Sequence, residues 1–452
     1  MSRTVAAIAT ASGLGALGVI RISGDKAIEI ADKVFFPFSG KKLAELKGYT
    51  AAYGEVKDGD TVLDDGVALV FRAPHSYTGE DTVEISLHGG AIILRDTLRL
   101  IFSSGAFSAE GGEFTKRAFL NGKTDLTRAE SIMGLISAES DAQLRLSRAA
   151  HLGKTAEKLD KIIQSLTKAD AAISVFSDYP DEDIEGLDRE SFSKMLENAK
   201  KSLEIMLREY DAGKILREGV DTAIVGKPNV GKSSLMNMLS GAERSIVTDI
   251  AGTTRDVIEE TVRVGDIVLR LADTAGIRDT GDTIESIGVN LARKRIDSAQ
   301  LILAVFDASN PLSDEDLKLL ASLKGKNVLI IINKTDLGSQ LEREIFRDFK
   351  VVEISAKENK GTNELSQKIN EICGTFGLSP DSAVLINERQ RACAARALKA
   401  VREAYTAIMI GQTLDAVGIC LDDALSALFE LTGKRVTNEV ADEIFKSFCV
   451  GK

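Results

Sequence analysis

The chain has 452 residues, of which 44% are hydrophobic and 28% charged, values typical of a globular protein with roughly two to four domains. Its formal net charge is −11, which disfavours a protein that binds nucleic acid mainly by coating phosphates, without excluding a local basic patch. The longest apolar stretch, Leu14–Ile20, is too short to cross a bilayer, and the amino-terminal segment lacks the pattern of a secretory signal, so we expect a cytoplasmic protein with no membrane partner.

Residues 1–120 predict an α+β domain. A helix-like segment, Ile92–Phe102, and several glycine turns lie among short runs of β-type residues. The predicted strands are Val5–Ile8, Gly18–Ile22, Val67–Phe71 and Thr82–Leu87.

Residues 121–216 and 379–452 predict helices, because apolar residues recur there at a period near 3.6. Pro180 interrupts the first of these stretches, since proline cannot continue a helix. Each stretch has an apolar stripe that another element must cover. We therefore expect one helical domain that is split in sequence.

Residues 217–378 lie between the helical stretches and alternate apolar strands with helices. This alternation is typical of βαβ units with a mostly parallel sheet. The predicted strands are Thr222–Val225, Ile267–Leu271, Leu301–Phe306, Val328–Ile332 and Val351–Ile354. We expect an α/β domain inserted into the helical domain.

The segment Gly226–Ser233 has the spacing G-x-x-x-x-G-K-S between a predicted strand and a predicted helix. Glycines there let backbone N–H groups surround phosphate oxygens at the positive end of the helix. Lys232 would reach the β- and γ-phosphates, and the Ser233 hydroxyl would ligate Mg²⁺. A lone match of this kind can also be a glycine turn that binds nothing.

Four further motifs follow in order, each at a strand end or in a polar connection. Asp273–Gly276 places a carboxylate and a glycine N–H where metal and γ-phosphate would lie, and Gly252–Asp256 offers a second Mg²⁺ hydroxyl. Asp336, in Asn333–Asp336, can accept from the N1–H and the exocyclic amine of guanine, a donor pair that adenine lacks. Ser355–Lys357 would support the same base. Together these motifs predict a P-loop GTP-binding domain.

The position after Gly276 holds Ile277, where Ras-like GTPases have a glutamine that orients the attacking water. Another group must therefore orient the water. Glu285 is the nearest candidate, although from spacing alone a solvated loop carboxylate is the simpler interpretation. Four scattered cysteines and three histidines show no zinc-ligand spacing, and we expect each thiol to be reduced and buried.

These motifs together resemble those of the tRNA-modification GTPases of the MnmE (TrmE) family. The resemblance extends to Val19–Gly24, Tyr77–Asp81, Gly111–Lys123 and the tail Cys449–Lys452, and so covers the whole chain. It implies an N-terminal folate-binding and dimerisation domain over 1–120, a helical domain over 121–216 and 379–452, and an inserted GTPase domain over 217–378.

The resemblance also implies partners and cofactors. Members act as homodimers with tRNA and with the flavoprotein MnmG (GidA), and add an aminomethyl-type group to C5 of the wobble uridine. The implied cofactors are GTP, Mg²⁺, K⁺ and a tetrahydrofolate derivative, either 5-formyl- or methylene-tetrahydrofolate. GTP hydrolysis in the family depends on potassium-driven dimerisation of the GTPase domains. The alternative that we keep open is a potassium-activated GTPase switch in ribosome or RNA assembly.

Carried over to this sequence, the family's positions give a set of expected site residues. The catalytic residues would be Glu285, which orients water, and Cys449, for which a structural thiol is an equal alternative. The metal ligands would be Ser233 and Thr254 for Mg²⁺, and Asn229, Thr248, Ile250 and Thr253 for K⁺. The folate contacts would be Arg21, Glu80, Lys123 and Lys452. The nucleotide contacts would be Asn229, Val230, Gly231, Lys232, Ser233, Ser234, Thr248, Asp249, Ile250, Ala251, Gly252, Thr253, Thr254, Asp273, Thr274, Ala275, Gly276, Asn333, Lys334, Asp336, Ser355, Ala356 and Lys357.

The best candidate patch for RNA is a basic helix around Arg389–Arg402. Its cations include Arg391, Arg396 and Lys399. A tRNA contact here would account for RNA binding by an acidic chain, whereas spacing alone favours a solvated basic face.

Overall fold

The computed structural model describes residues 3–11, 13–138, 140–178, 189–242, 260–265, 267–271, 299–373, 382–446 and 448–451. The chain forms two compact units. The first contains Met1–Met133 and Leu425–Lys452, and the second contains Gly134–Ala424.

Strands and helices are mixed up to residue 120, helices follow up to residue 218, strands and helices are mixed again from 220 to 373, and helices complete the described chain. The strands are β1 Val5–Ile8, β2 Leu17–Ser23, β3 Phe35–Pro37, β4 Thr50–Asp58, β5 Thr61–Phe71, β6 Thr82–His88, β7 Phe107–Ser108, β8 Val220–Val225, β9 Glu260–Val264, β10 Ile267–Leu271, β11 Leu301–Asp307, β12 Val328–Asn333 and β13 Lys350–Glu353. The α-helices are α1 Ala27–Val34, α2 Ala91–Ser103, α3 Glu113–Leu120, α4 Leu126–Ile136, α5 Asp141–His151, α6 Lys154–Asp178, α7 Arg189–Glu218, α8 Lys232–Ala242, α9 Asp314–Leu323, α10 Thr362–Cys373, α11 Glu388–Met409, α12 Leu414–Thr432 and α13 Asn438–Phe445.

The first unit is built on a sheet with the strand order β3-β4-β5-β6-β2-β1-β7. Its strand pairs are antiparallel except for the parallel pair β1 and β7. Along β2, Ile20 and Ile22 are fully buried in a core that they share with residues of α1 and α2, whereas the alternating Arg21 is half-buried on the opposite face. This alternation gives the sheet one apolar face and one polar face.

The chain's last helix packs beside α3 in the same unit. Phe445 and Phe448 are buried with Leu126 and Ala129 of α4. Glycine is required where the tail passes, because a Cβ at Gly112 would lie 2.7 Å from the carbonyl oxygen of Phe445. The carboxyl-terminal segment is thereby held against the amino-terminal domain.

The second unit contains the inserted sheet, with the order β13-β12-β11-β8-β10-β9. Only the pair β9 and β10 is antiparallel among the described pairs, so the sheet is mostly parallel. In β11, Leu303 and Val305 enter a core with α8 and α10, while Ala304 and Phe306 enter a core with α9. A strand buried on both faces needs such a continuous apolar run.

Helices α5, α6, α7 and α11 lie in the same unit, and side chains of α5, α6 and α7 bond the segments by which the chain enters and leaves the inserted sheet. Arg217 at the end of α7 donates from Nη1 to the carbonyl oxygen of Leu385, 3.1 Å away. Its own carbonyl oxygen accepts a hydrogen bond from Gln143 Nε2 at 2.8 Å, and Thr155 Oγ1 donates to the carbonyl oxygen of Val384 at 2.9 Å. The two connections are thus held together by side chains of the helical scaffold.

The fold class predicted from the sequence is confirmed: an α+β amino-terminal domain, helices on both sides in sequence, and an inserted P-loop α/β domain. Within the described part of the chain, no helix combines the length and the hydropathy that a membrane span requires.

Candidate functional site

The loop between β8 and α8 has the backbone geometry of a phosphate-binding loop. Gly226, Asn229 and Gly231 have φ values of 147°, 64° and 98°. A Cβ at Gly226 would lie 2.4 Å from the carbonyl oxygen of Val305, so only glycine fits there. Successive turns of this kind ahead of a helix N-terminus form an anion-binding cradle.

Lys232, the first residue of α8, folds back over this loop. Its Nζ donates to the carbonyl oxygens of Gly226 at 2.9 Å and Lys227 at 2.6 Å. Burial lowers the pKa of Lys232 below its usual value of 10.5. An ammonium has three N–H donors, so the loop holds the group that would contact phosphate while leaving it donor capacity.

Asn333 ties the phosphate loop to the segment Ser355–Lys357, which the sequence predicts to support the base. Its Nδ2 donates to the carbonyl oxygen of Val230 at 3.0 Å, and its Oδ1 accepts from the N–H of Ala356 at 3.0 Å. The side chain is buried, and a Cβ at Gly231 would lie 2.2 Å from its Nδ2. Asn333 therefore acts as a clamp between three loops, with both ends of its amide already bonded to protein.

A cavity of about 460 Å³ lies beside this clamp. It is lined by Gly231, Ser234, Asn237, Met238, Asn333, Lys334, Asp336, Leu337, Ala356, Lys357 and Asn359. The structure therefore brings residues of three predicted motifs to one cavity. Sequence reasoning missed Asn237, Met238, Leu337 and Asn359, which belong to no motif but follow one by a few residues.

Asp336 presents the carboxylate expected to recognise a base. The Ser355 hydroxyl donates to its Oδ1 at 2.6 Å, and this hydrogen bond lowers the pKa of the carboxyl group. Ser355 is buried, so its role in this geometry is to orient Asp336. A fixed carboxylate that accepts from adjacent donors suits the N1–H and amine of guanine.

Lys334 is fixed by a residue that the sequence analysis did not single out. It has a left-handed φ of 64°, and its Nζ lies 2.7 Å from Oδ2 of Asp307, the last residue of β11. Burial opposes ionisation of Asp307, but hydrogen bonds from Lys334 and Ser309 outweigh it and lower the pKa. The signal was present in the sequence, since Asp307 directly follows the predicted strand Leu301–Phe306, as Asn333 follows the predicted strand Val328–Ile332.

Several predicted residues lie outside the described part of the chain. They are Thr248, Asp249, Ile250, Ala251, Gly252, Thr253, Thr254, Asp273, Thr274, Ala275, Gly276, Glu285 and Lys452. Of the predicted metal ligands, Asn229 and Ser233 lie within it, in the loop and at the start of α8.

A second polar site lies on the amino-terminal sheet, beneath α3. Arg21 of β2 forms an ion pair with Glu84 of β6 at 2.8 Å. Its guanidinium carbon lies 5.2 Å from the ring centre of Tyr77 and 5.4 Å from that of Phe114. A half-buried cation between two aromatic rings is a suitable environment for a planar anionic ligand.

Glu80 belongs to the same polar face, because it bonds the residue two positions beyond Arg21. Its Oε2 accepts from Ser23 Oγ at 2.9 Å and from Arg117 Nη1 at 2.8 Å. Arg117 also donates from Nη2 to Glu113 Oε1 at 2.6 Å. These bonds fix one oxygen of the Glu80 carboxylate. Sequence reasoning did not identify Arg117, which donates one of them.

Lys123 lies at the edge of the loop that carries Glu80. Its Nζ donates to the carbonyl oxygen of Pro74 at 3.0 Å, and Asn121 Nδ2 donates to that of Thr78 at 2.7 Å. The structure thus brings Arg21, Glu80 and Lys123 to one region of the unit.

The carboxyl-terminal tail runs into this region. Val450 pairs with Gly111, and Arg21 Nη1 donates to the carbonyl oxygen of Gly451 over 3.5 Å. Cys449 is exposed, which corrects the expectation that every thiol is buried. Phe448 occupies the buried position beside Phe445 and Val450 pairs with Gly111, and Cys449 between them remains exposed.

The basic helix is α11, and acidic residues compensate much of its charge. Arg402 Nη2 lies 2.8 Å from Glu204 Oε1 on α7, and Arg391 Nε lies 3.4 Å from Asp211 Oδ1. Lys399 lies near Glu403, with 3.9 Å between Nζ and Oε1. This pairing favours the interpretation as a solvated face.

Comparison with known families covers almost the whole chain. The sequence model of the MnmE helical domain matches residues 126–449, and that of the GTP-binding protein TrmE N-terminus matches residues 4–123. The tRNA modification GTPase MnmE of Clostridioides difficile (strain 630) is 40% identical over 99% of both chains. The protein of the same name from Alkaliphilus metalliredigens (strain QYMF) is 41% identical, again over 99% of each.

Among solved structures, the G domain of the FeoB iron transporter of T. maritima is 29% identical to this chain. The alignment covers 34% of this chain and 98% of that one, with a TM-score of 0.26.

Proposed function

Since the chain belongs to the MnmE family of tRNA modification GTPases, we propose that it hydrolyses GTP and, with a flavoprotein partner, adds an aminomethyl-type group to C5 of the wobble uridine of certain tRNAs. The observation that carries the GTPase part is the cavity that joins the phosphate loop to the Asp336 carboxylate. The chain's own groups bind the nucleotide, orient the base and hold a cation beside the phosphates.

Lys232 and the helix N-terminus would bind the phosphates, because charge and backbone N–H groups converge there. Ser233 fits a Mg²⁺ ligand, since a hydroxyl at this position of the motif is a hard oxygen donor. We propose Thr254 as the second such hydroxyl. Mg²⁺, when bound, neutralises charge on the phosphate oxygens.

We propose that Asn229 supplies an oxygen to K⁺, with oxygens of Thr248, Ile250 and Thr253 completing the site. Asn229 has a left-handed backbone within the phosphate loop, and its neutral amide oxygen would suit a monovalent cation. K⁺, when bound, supplies positive charge beside the phosphates. Glu285 would orient the attacking water, because Ile277 has no group that could do so.

The amino-terminal site would bind the tetrahydrofolate derivative that supplies the one-carbon unit. Arg21 and Lys123 provide cations for its carboxylates, and Lys452 would add a third. Glu80 provides a carboxylate for the N–H edge of the pterin, and its fixed position under Arg117 supports this role. Cys449 lies one residue from the Val450–Gly111 pairing, which supports a role near this site.

We propose the homodimer and the flavoprotein MnmG as the assembly in which this chemistry occurs. The domain limits 1–120, 121–216, 217–378 and 379–452 are part of the same proposal. The alternative, a potassium-activated GTPase switch in ribosome or RNA assembly, leaves the polar site beneath α3 without a ligand. Family membership over the whole chain favours tRNA modification.

Two measurements test the proposal. Titration calorimetry with 5-formyl-tetrahydrofolate should show binding that Arg21→Ala weakens at least tenfold or so, as loss of a charge-assisted contact predicts. GTP turnover should be faster in K⁺ than in Na⁺, and Asn229→Ala should remove the difference. A chain that binds no reduced folate would support the switch instead, and equal GTP turnover in both salts would remove the proposed role of Asn229.

A further inference from the structure

We propose that Asp316, the third residue of α9, is a positioning residue for the nucleotide site that acts through Lys227 of the phosphate loop. Asp316 belongs to none of the GTPase motifs and lies more than eighty positions beyond the loop in sequence. The inference rests on the proposed GTP binding and deepens it by naming what holds the loop.

The first step is the contact itself. Lys227 Nζ lies 2.7 Å from Asp316 Oδ2 and also contacts the hydroxyl of Ser313. Only 10% of the Asp316 side chain is exposed, against 26% for Lys227. Such a pair is more desolvated than a surface ion pair. We therefore expect its loss to have a measurable effect on the phosphate loop.

The second step is the rigidity of the carboxylate. Asp316 Oδ2 accepts from the N–H of Ser313 at 2.9 Å and from its hydroxyl at 3.0 Å. The first of these bonds, together with the Asp316 N–H that donates to Ser313 Oγ, forms a capping box at the start of α9. The carboxylate that receives Lys227 is therefore locked by the end of a helix whose other residues, such as Leu320 and Leu323, lie in the core.

The third step links this anchor to the phosphates. The carbonyl oxygen of Lys227 accepts from Lys232 Nζ at 2.6 Å, so the residue held by Asp316 also holds the ammonium that would contact phosphate. Gly226 is fixed against Val305, and Val230 is fixed by Asn333. The Lys227–Asp316 pair is a charged side-chain anchor between these two points.

The test measures affinity for a fluorescent GDP analogue in the full-length chain. We expect Asp316→Asn and Lys227→Met each to weaken binding about tenfold, as loss of a charged hydrogen bond would. The double variant should be no weaker than the single ones, because both remove one interaction. Lys227→Arg, which keeps the charge, should restore most of the affinity.

Two controls distinguish a role of Asp316 in positioning the phosphate loop from a general effect on folding. Asn at position 316 can still accept from the Ser313 N–H, so the thermal midpoint without nucleotide should change little. Lys324→Met breaks the exposed pair with Asp348 at the other end of α9 and should leave the GDP affinity unchanged. Unaltered affinity in Asp316→Asn, or losses that add in the double variant, would overturn the inference. Failure of the wild-type chain to bind nucleotide would instead overturn the proposed GTPase site.

Discussion

The guanidinium of Arg117 lies 2.8 Å from the carboxylate of Glu80, and only 11% and 13% of these two side chains are exposed. Arg117 also bonds Glu113 and the carbonyl oxygen of Arg3, so a single cation joins α3, the loop before β6 and the start of the chain. The orientation of Glu80 therefore depends on α3.

We expect Arg117→Gln to weaken binding of 5-formyl-tetrahydrofolate about tenfold, because Glu80 would lose the cation that holds it. Titration calorimetry measures the affinity, and thermal unfolding reports any loss of stability. Arg95→Gln on α2, which breaks an exposed pair with Asp96, is the matched control and should bind as the wild type does. Equal folate affinity in both variants would show that Glu80 does not need Arg117.

Asp336→Asn should change which base the cavity prefers. An amide replaces two acceptor oxygens by one acceptor and one donor, which suits the additional carbonyl of xanthine better than the amine of guanine. We expect GDP affinity to fall at least a hundredfold or so and XDP affinity to rise, as competition against the fluorescent GDP analogue would show. Ser355→Ala, which removes only the orienting hydroxyl, should cost several-fold with the preference for guanine kept.

The affinity for GDP should decrease as the pH rises into the alkaline range. This decrease should begin at a lower pH than it would if the phosphates were bound by an exposed lysine. Burial lowers the pKa of Lys232, and phosphate binding needs the protonated amine. Affinity is therefore full below this pKa and is lost as the pH rises through it. Titrations at increasing pH measure the decline, and a constant affinity up to 10.5 would contradict the assignment.

The four cysteines should differ in reactivity. Burial raises the pKa of Cys373 to about 11 and also raises that of Cys420, and Cys393 is buried. Cys449 is exposed, so we expect iodoacetamide to label it at least tenfold or so faster than Cys373 in the native protein. Mass spectrometry of timed digests gives each rate, and unfolding in urea should make the rates alike.

The basic face of α11 should contribute little to tRNA binding. A direct phosphate contact changes the slope of log affinity against log salt by about one. Because Glu204 already pairs with Arg402, we expect Arg402→Glu to change this slope by less than that. Conversely, Glu204→Gln frees the guanidinium and should raise tRNA affinity. A full unit lost in Arg402→Glu would establish α11 as a tRNA contact.

The sequence predicted the elements whose signal is local. The strand β11 was predictable because a run of apolar residues must lie between two helical layers. The strand β4 was not, because Ala51, Ala52 and Gly54 give its first half little β-strand signal, and its place depends on pairing with β3 and β5.

The same distinction applies to the candidate site. Motif residues such as Lys232 and Asp336 were predictable because their spacing reflects the shape of a loop. Their supports Asp316 and Arg117 were not, because each is far from its partner in sequence and the contact exists only after folding. Glu285 and the remaining predicted ligands outside the described residues stay predictions.

The contact between Arg217 and Leu385 has a consequence for engineering the chain. The inserted α/β segment begins after Arg217 and ends before Leu385, and these two residues are joined by a hydrogen bond. A short linker could therefore replace the inserted segment without distorting the helical scaffold. A deletion of this kind would yield a nucleotide-free chain on which the amino-terminal site could be studied alone. The same closeness makes this junction a natural place to graft a different nucleotide-binding module.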